Sequence, residues 1–224
     1  MSERVPELSL GAFVAGDARA RAQFSAALMQ ALQRFGFVVI ADHGVPVALL
    51  DEAYALVRRL FALPEADKRR YAGGLRGYTP FGTEHAKNHQ FPDLKEFWQI
   101  GREIDHAAPS DEPLPPNVWP TQWPEFRTVF TRLYSALDRT GRELLAALAP
   151  QLALEPNYFE PLVRHGNSVF RLIHYPPVPA DADPRCVRSA AHEDINFLTL
   201  LVAARGAGLE LLDRDGSWLP VESA

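Results

Sequence analysis

Near Asn167 the apolar residues of this 224-residue chain change their spacing, and that change limits the fold more than any single motif does. Upstream they recur at helical intervals. Phe24, Leu28, Leu32 and Phe35 form a stripe that Asp17 can cap and Gly36 can end. Leu49, Leu50, Ala53, Leu56, Val57, Leu60 and Phe61 form a second stripe over 46–62. A long helix is expected from Trp123-Pro124, proline being acceptable in a first turn. Its apolar face is Phe126, Phe130, Leu133, Leu137, Leu144, Leu145 and Leu148. Downstream, SVFRLIHY (168–175), INFLTLLVAA (195–204), GLELLD (208–213) and SWLPV (217–221) read as strands. The DRDG between the last two predicts a hairpin.

Two strands also precede the switch, FVVIADH (37–43) and EFWQIG (96–101), while LPEADKRRY (63–71) reads as a turn and a short polar helix. Helices first and short strands later predict an α+β fold with a sandwich or barrel toward the C-terminal end. Closed or double-sheet antiparallel architectures use about eight strands. Fewer are legible here, so the sheet is expected to be incomplete.

Composition enters as an exclusion. At 47% hydrophobic and 23% charged residues the chain is an ordinary soluble globular one. A net charge of −5 argues against a nucleic-acid or anionic-membrane footprint. MSERVPELSL lacks the basic and apolar regions of a signal peptide, and charges break every apolar run before membrane-spanning length. The single cysteine, Cys186, excludes an internal disulfide and points to a reducing compartment, hence a cytoplasmic location. Prolines cluster at 109–124 and 176–184, where irregular connections are expected.

The residues that can carry chemistry are in SAAHEDINFLTLLV, 189–202. If this is the start of a strand, His192 and Asp194 share a face and Glu193 points away. Taken alone, the three letters describe a surface or capping pair at a strand end, since short motifs recur by chance. The alternative is metal ligation. Imidazole and carboxylate on one face can meet at one ion, as in the 2-His-1-carboxylate arrangement that leaves positions open at Fe(II). A proline-rich loop entering a sheet also suits a site at a sandwich mouth.

In that context FRLIHYPP, AHEDINFLTLL and GLELLDRDGSWLPV resemble the first half of the iron-binding core of the isopenicillin N synthase-like, 2-oxoglutarate- and Fe(II)-dependent oxygenases. FGFVVIADHGVP, RGYTPFGTEHAK and PDLKEFWQIGRE are similar to the N-terminal region of that family's bacterial members. The resemblance runs from about Val5 to Val221. It implies a double-stranded β-helix, or jelly roll, packed on an N-terminal region of helices and strands. The implied division is 1–118 for the N-terminal region, 119–166 for a long helix and connection, and 167–224 for the first part of the jelly-roll core.

The same resemblance implies Fe(II), with 2-oxoglutarate and O2 as cosubstrates, a small-molecule substrate, and hydroxylation, desaturation or ring closure as the outcome. His192 and Asp194 match the first two metal ligands. Tyr175 matches a tyrosine that contacts cosubstrate or substrate; it could equally be a core tyrosine. Arg171 is either a pocket residue or half of a structural ion pair. Ile173 stands where plant members often carry an asparagine that helps hold 2-oxoglutarate. The family's third ligand, a histidine after an N-x-G-D-like strand, and its carboxylate-clamping arginine in an R-x-S-like motif have no counterpart after Trp218.

His43 reads as structural, and His85, His89, His106 and His165 as solvated loop residues, while His174 should face away from Tyr175. The expectation is therefore a chain cut before its distal ligands, with low or no turnover. Alternatives are an ethylene- or succinate-forming enzyme, an oxidase that needs no 2-oxoglutarate, a non-catalytic remnant of the fold, or another divalent ion such as zinc in the partial site.

Overall fold

The structure, a computed structural model, describes residues 4–85, 90–103, 114–202 and 208–221. In chain order the elements are β1 (Glu7–Ser9), α1 (Leu10–Val14), α2 (Ala18–Phe35), β2 (Val39–Ala41), α3 (Val47–Phe61), α4 (Glu65–Arg69), β3 (Gly77–Thr79), β4 (Glu96–Gly101), α5 (Pro124–Leu148), α6 (Glu160–Arg164), β5 (Val169–His174), β6 (Glu210–Leu212) and β7 (Trp218–Pro220). A 3-10 turn, Ala149–Leu152, follows α5. No helix among the described residues is long and apolar enough to cross a membrane.

These elements form two compact units that do not follow chain order: 1–45 with 136–165 and 198–224, and 46–135 with 166–197. In the first unit, β1 and β2 pair in parallel, Leu8 opposite Ile40. The α2 helix begins where the Asp17 carboxylate accepts the Ala20 N–H at 2.8 Å, which satisfies one of the amides a helix start leaves unpaired. It ends at Gly36, whose φ of 66° is open to glycine at little cost. The α2 stripe supplies Phe24 and Leu28 to a core closed by Leu10, Leu144, Ala147 and Leu148, with Leu198 and Leu200 packed against it. The β6–β7 hairpin forms as its Asp-Gly turn predicts, with Leu211 opposite Leu219. Its turn residue Asp213 takes the Arg34 guanidinium on both oxygens, at 2.6 and 3.0 Å, and that pairing holds its carboxyl down to about 2.

The second unit is built on the antiparallel sheet β3-β4-β5, with β4 in the middle. Glu96 pairs with His174, Phe97 with Ile173 and Gln99 with Arg171. The central strand is largely buried on both faces, and Trp98 and Ile100 are fully buried. Trp98 lies 5.4 Å from the Tyr71 ring and 6.1 Å from Phe126, and Phe126 lies 4.3 Å from Phe130, so the start of α5 lines the same core. At the first residue of β3, Gly77, φ is 87° and a Cβ would stand 2.5 Å from the Tyr71 carbonyl oxygen; only glycine lets the chain turn into the sheet there.

One predicted strand does not form. INFLTLLVAA, expected as a strand over 195–204, has no strand conformation in 195–202, and 203–204 lie outside the described residues. A strand is fixed by the neighbour that completes its hydrogen-bond ladder, and none of the described ladders includes this segment. Leu198 and Leu200 still find apolar partners, whereas Ile195 is 94% exposed.

Candidate metal centre

The candidate ligands occupy a loop that the edge of β4 ties down. Just before β4, the Leu94 N–H donates to the Val187 carbonyl at 2.8 Å. Three residues on, the Ala190 N–H donates to Asp93 Oδ1 at 3.0 Å. Asp93 is 1% exposed, and its other oxygen accepts from Lys95 Nζ at 2.8 Å. Lys95 also pairs with Glu84 at 2.8 Å. Burial alone would lower the Lys95 pKa, but the hydrogen bonds to Asp93 and Glu84 outweigh it and raise it, so the ammonium stays charged.

From that anchor the geometry of His192 follows. Its Nδ1 lies 2.7 Å from the Ala190 carbonyl oxygen. A carbonyl oxygen can only accept, so Nδ1 carries the proton and Nε2 of the neutral ring is left with a lone pair. Nε2 stands 3.6 Å from Asp194 Oδ1. Two acceptors held this close call for a cation, either a second proton on the ring or a metal ion. Metal bonds from such ligands run about 2.0–2.2 Å, so one ion can touch both atoms. A backbone carbonyl behind the ligating imidazole is also the usual outer support of a metal-bound histidine. The side chains are 45% and 49% exposed, so an ion from solvent can reach them.

His192 Nε2 and Asp194 Oδ1 stand 3.6 Å apart, but a strand does not place them there. The alternation of a pleated strand is absent from this segment; a tethered loop and the Ala190 carbonyl set the ring instead. Glu193 is exposed, as are its neighbours on both sides.

The remaining candidates separate clearly. Tyr175 follows the last residue of β5 and is 41% exposed. Arg171 spans the strand pair, donating to Gln99 at 3.0 Å and to Glu84 at 3.0 Å, with its guanidinium 4.7 Å from the Phe97 ring centroid. Ile173 faces Phe97 across the ladder. His43 accepts the Val45 N–H on Nδ1 at 3.1 Å, and its carbonyl accepts the Thr140 hydroxyl at 2.8 Å, both structural bonds. His85 and His165 are exposed in connections, and His89 and His106 lie outside the described residues. Among the described residues no three of His, Cys, Asp and Glu stand together as a metal site.

Two groups were not singled out from the sequence. One is Asp93, described above. The other is a buried cluster around Glu96, whose carboxylate accepts from Lys68 Nζ at 2.6 Å, from the Tyr78 hydroxyl, and from His174 Nδ1 at 2.8 Å. Lys68 belongs to α4, predicted as a short polar helix, and is itself buried. The signal for both groups lay in PDLKEFWQIG, where three charges abut a strand too apolar to be solvated.

The description "non-haem dioxygenase in morphine synthesis N-terminal" matches residues 5–124. The 2-oxoglutarate-Fe(II) type oxidoreductase hxnY of Emericella nidulans is 33% identical over 230 residues, covering 97% of this chain and 66% of that protein. A crystal structure assigned to the 2OG-Fe(II) oxygenase family, from Caulobacter crescentus, superposes with a TM-score of 0.83 at 41% identity, covering 100% of this chain and 72% of that one. A full-length Neurospora crassa protein crystallised in complex with alpha-KG superposes with a TM-score of 0.82 at 25% identity, over 96% of this chain and 69% of that one. The chain spans about two thirds of the length of the curated relatives it matches.

Proposed function

Since the chain belongs to the 2-oxoglutarate- and Fe(II)-dependent oxygenases, we propose that His192 and Asp194 are two ligands of an Fe(II) centre that oxidises a small organic molecule. The observation that carries this is the facing pair of acceptors, Nε2 and Oδ1 at 3.6 Å, with the imidazole proton already committed to Ala190. His192 and Asp194 would hold the Fe(II), which would supply the oxidative chemistry with 2-oxoglutarate and O2 for hydroxylation, desaturation or ring closure.

The chain's own residues bind and orient. The Ala190 carbonyl keeps the imidazole proton on Nδ1 and the lone pair toward the ion. Asp194 supplies the negative charge that favours a divalent cation. Tyr175, at the end of β5, contacts cosubstrate or substrate through its phenol. Arg171 serves mainly to lock β5 to β4, because its Nε and Nη1 are engaged by Gln99 and Glu84.

We further read the chain as belonging to the isopenicillin N synthase-like branch, with 167–224 contributing to a jelly-roll core and 1–118 forming the N-terminal family region. A cytoplasmic setting agrees with the lone Cys186. Because only two ligands stand together among the described residues, these 224 residues alone are expected to turn over slowly or not at all. That same observation favours a second reading, a non-catalytic chain of this fold.

Anaerobic Fe(II) titration followed by calorimetry tests the centre. Weak binding is expected in the unaltered chain, with loss in both His192→Ala and Asp194→Ala. Undiminished binding in either variant sinks the ligand assignment. Succinate release that His192→Ala abolishes would overturn the expectation of low turnover and the non-catalytic reading together.

A further inference from the structure

We propose that Asp93 is the positioning residue of the ligand loop, setting the His192 imidazole through Ala190. The inference rests on the reading of His192 and Asp194 as metal ligands and adds what holds them ready. Asp93 touches neither ligand. Its Oδ1 takes the Ala190 N–H at 3.0 Å, and Ala190 is also the residue whose carbonyl oxygen lies 2.7 Å from His192 Nδ1. The N–H and C=O of Ala190 belong to two peptide planes that meet at its Cα, so Asp93 anchors the first plane and the φ and ψ of Ala190 carry that constraint to the C=O. The direction of the C=O decides which ring nitrogen keeps the proton.

A buried charge needs a reason. Asp93 is 1% exposed and pairs with Lys95, which is 7% exposed. Buried ion pairs of this kind are weak sources of stability, since apolar side chains of similar volume often serve as well. What an apolar pair cannot do is accept the Ala190 N–H and stay aligned while accepting it. Lys95 provides that alignment, holding Oδ2 at 2.8 Å and itself held by Glu84 at 2.8 Å. The Leu94–Val187 backbone bond at 2.8 Å closes the other side of the loop, so the segment from Val187 to Ala190 is tied at both ends to the two residues Asp93 and Leu94. The tie ends there. His192 and Asp194 themselves are about half exposed, and their placement depends on the anchor behind them.

In Asp93→Asn the side chain keeps its size, but its amide turns a donor toward Lys95 or toward Ala190, and one of the two bonds is lost. The test uses the 15N-labelled chain at pH 8, where a free imidazole is neutral, with Mn(II) as the probe ion. Three readouts are followed: exchange of the Ala190 amide, the nitrogen shifts that report the His192 tautomer, and selective broadening of the His192 ring signals by Mn(II). The unaltered chain is expected to show a slow amide, a single Nδ1–H tautomer and selective broadening. Asp93→Asn is expected to speed exchange roughly 10-fold, mix the tautomers, and require roughly 10-fold more Mn(II) for the same broadening, the size typical of lost outer support at a metal site.

Lys95→Gln, which leaves the carboxylate but removes its alignment, is expected to move all three in the same direction and less far. It also serves if Asp93→Asn does not fold. Thr140→Val, which breaks a bond to the His43 carbonyl, controls for stability alone and leaves the tautomer and the Mn(II) requirement unchanged. A folded Asp93→Asn or Lys95→Gln with an unmixed tautomer and an unchanged Mn(II) requirement overturns the proposal, even if it melts earlier. Absence of selective Mn(II) broadening at His192 in the unaltered chain is a different result. It removes the ligand reading itself, and the proposal with it.

Discussion

Two histidine–carboxylate pairs lie in the same compact unit, and they are built to opposite ends. At His174–Glu96 the carboxylate is 5% exposed and receives three donors, Lys68, Tyr78 and His174, while the His174 ring stacks 5.0 Å from Phe61. At His192–Asp194 both side chains are about half exposed, and the facing atoms are two acceptors. In the first pair the carboxylate charge is satisfied internally by those three donors. The second has spent its Nδ1 donor on the backbone and turns Nε2 toward a carboxylate oxygen 3.6 Å away. Proximity of a histidine and an acid is therefore not what marks a metal site. The count of donors and acceptors left over is.

The largest effect expected from that contrast is in the closed cluster. Glu96→Gln removes the negative charge from beside Lys68 and leaves a buried ammonium without a counter-charge. Breaking a buried pair from one side costs about 3–5 kcal/mol. Urea unfolding should show a loss of that order, and a loss below about 1 kcal/mol would mean that the cluster is hydrated and the contrast overstated.

The same cluster should govern part of the pH dependence. Burial would raise the Glu96 pKa, but the hydrogen bonds from Lys68, Tyr78 and His174 outweigh it and hold the carboxyl below its ordinary 4.5. The unfolded chain then binds the extra proton first, so this contribution is present above about 4.5 and disappears as pH falls through the lower folded value. Tyr78 behaves in the opposite sense. Burial, and after it the bond to the Glu96 carboxylate, push its phenol above the ordinary 10.0, so the folded state keeps a proton the unfolded state gives up. Stability should therefore fall as pH rises past about 10. Stability profiles of Glu96→Gln and Tyr78→Phe should lack the acid and the alkaline part respectively. An unchanged slope in either variant would remove its residue from the account.

How much of this was legible beforehand depends on what each element needed. The α2 stripe carries its own cap and stop, so Asp17 and Gly36 could be read directly. Likewise β4 declared itself by its strand-like EFWQIG, and the β6–β7 hairpin by its Asp-Gly turn. The 195–202 segment has the same β-branched and apolar character, but a strand also needs a partner, and partners are not written in the segment itself. His192 and Asp194 were legible as a pair because their spacing is local. Asp93 and Glu96 were not, because their roles depend on Ala190 and His174, 97 and 78 positions away. Arg171 stayed open in the sequence for the same reason, since Glu84 is 87 positions distant.

The smallest effect is the one that sharpens the comparison most. His192→Ala removes an exposed ring whose only described tie is to its own loop, and surface changes of this kind stay within about 0.5 kcal/mol. His174→Ala, by contrast, takes one donor from the buried Glu96 carboxylate and removes the face that covers Phe61. A hydrogen bond to a charged group is worth about 1.5–3 kcal/mol, so a loss near the lower end is expected for this half-exposed ring. Measured side by side by urea unfolding without added metal, the two alanine variants should differ by about 1 kcal/mol or more. Added Mn(II) should then raise the midpoint of His174→Ala and leave that of His192→Ala where it was, since only an ion bound to the folded state shifts the equilibrium. If both variants gain equally from the metal, the ion sits elsewhere. If both lose stability equally, His192 is a structural residue like His174, and the facing pair of acceptors is no sign of function.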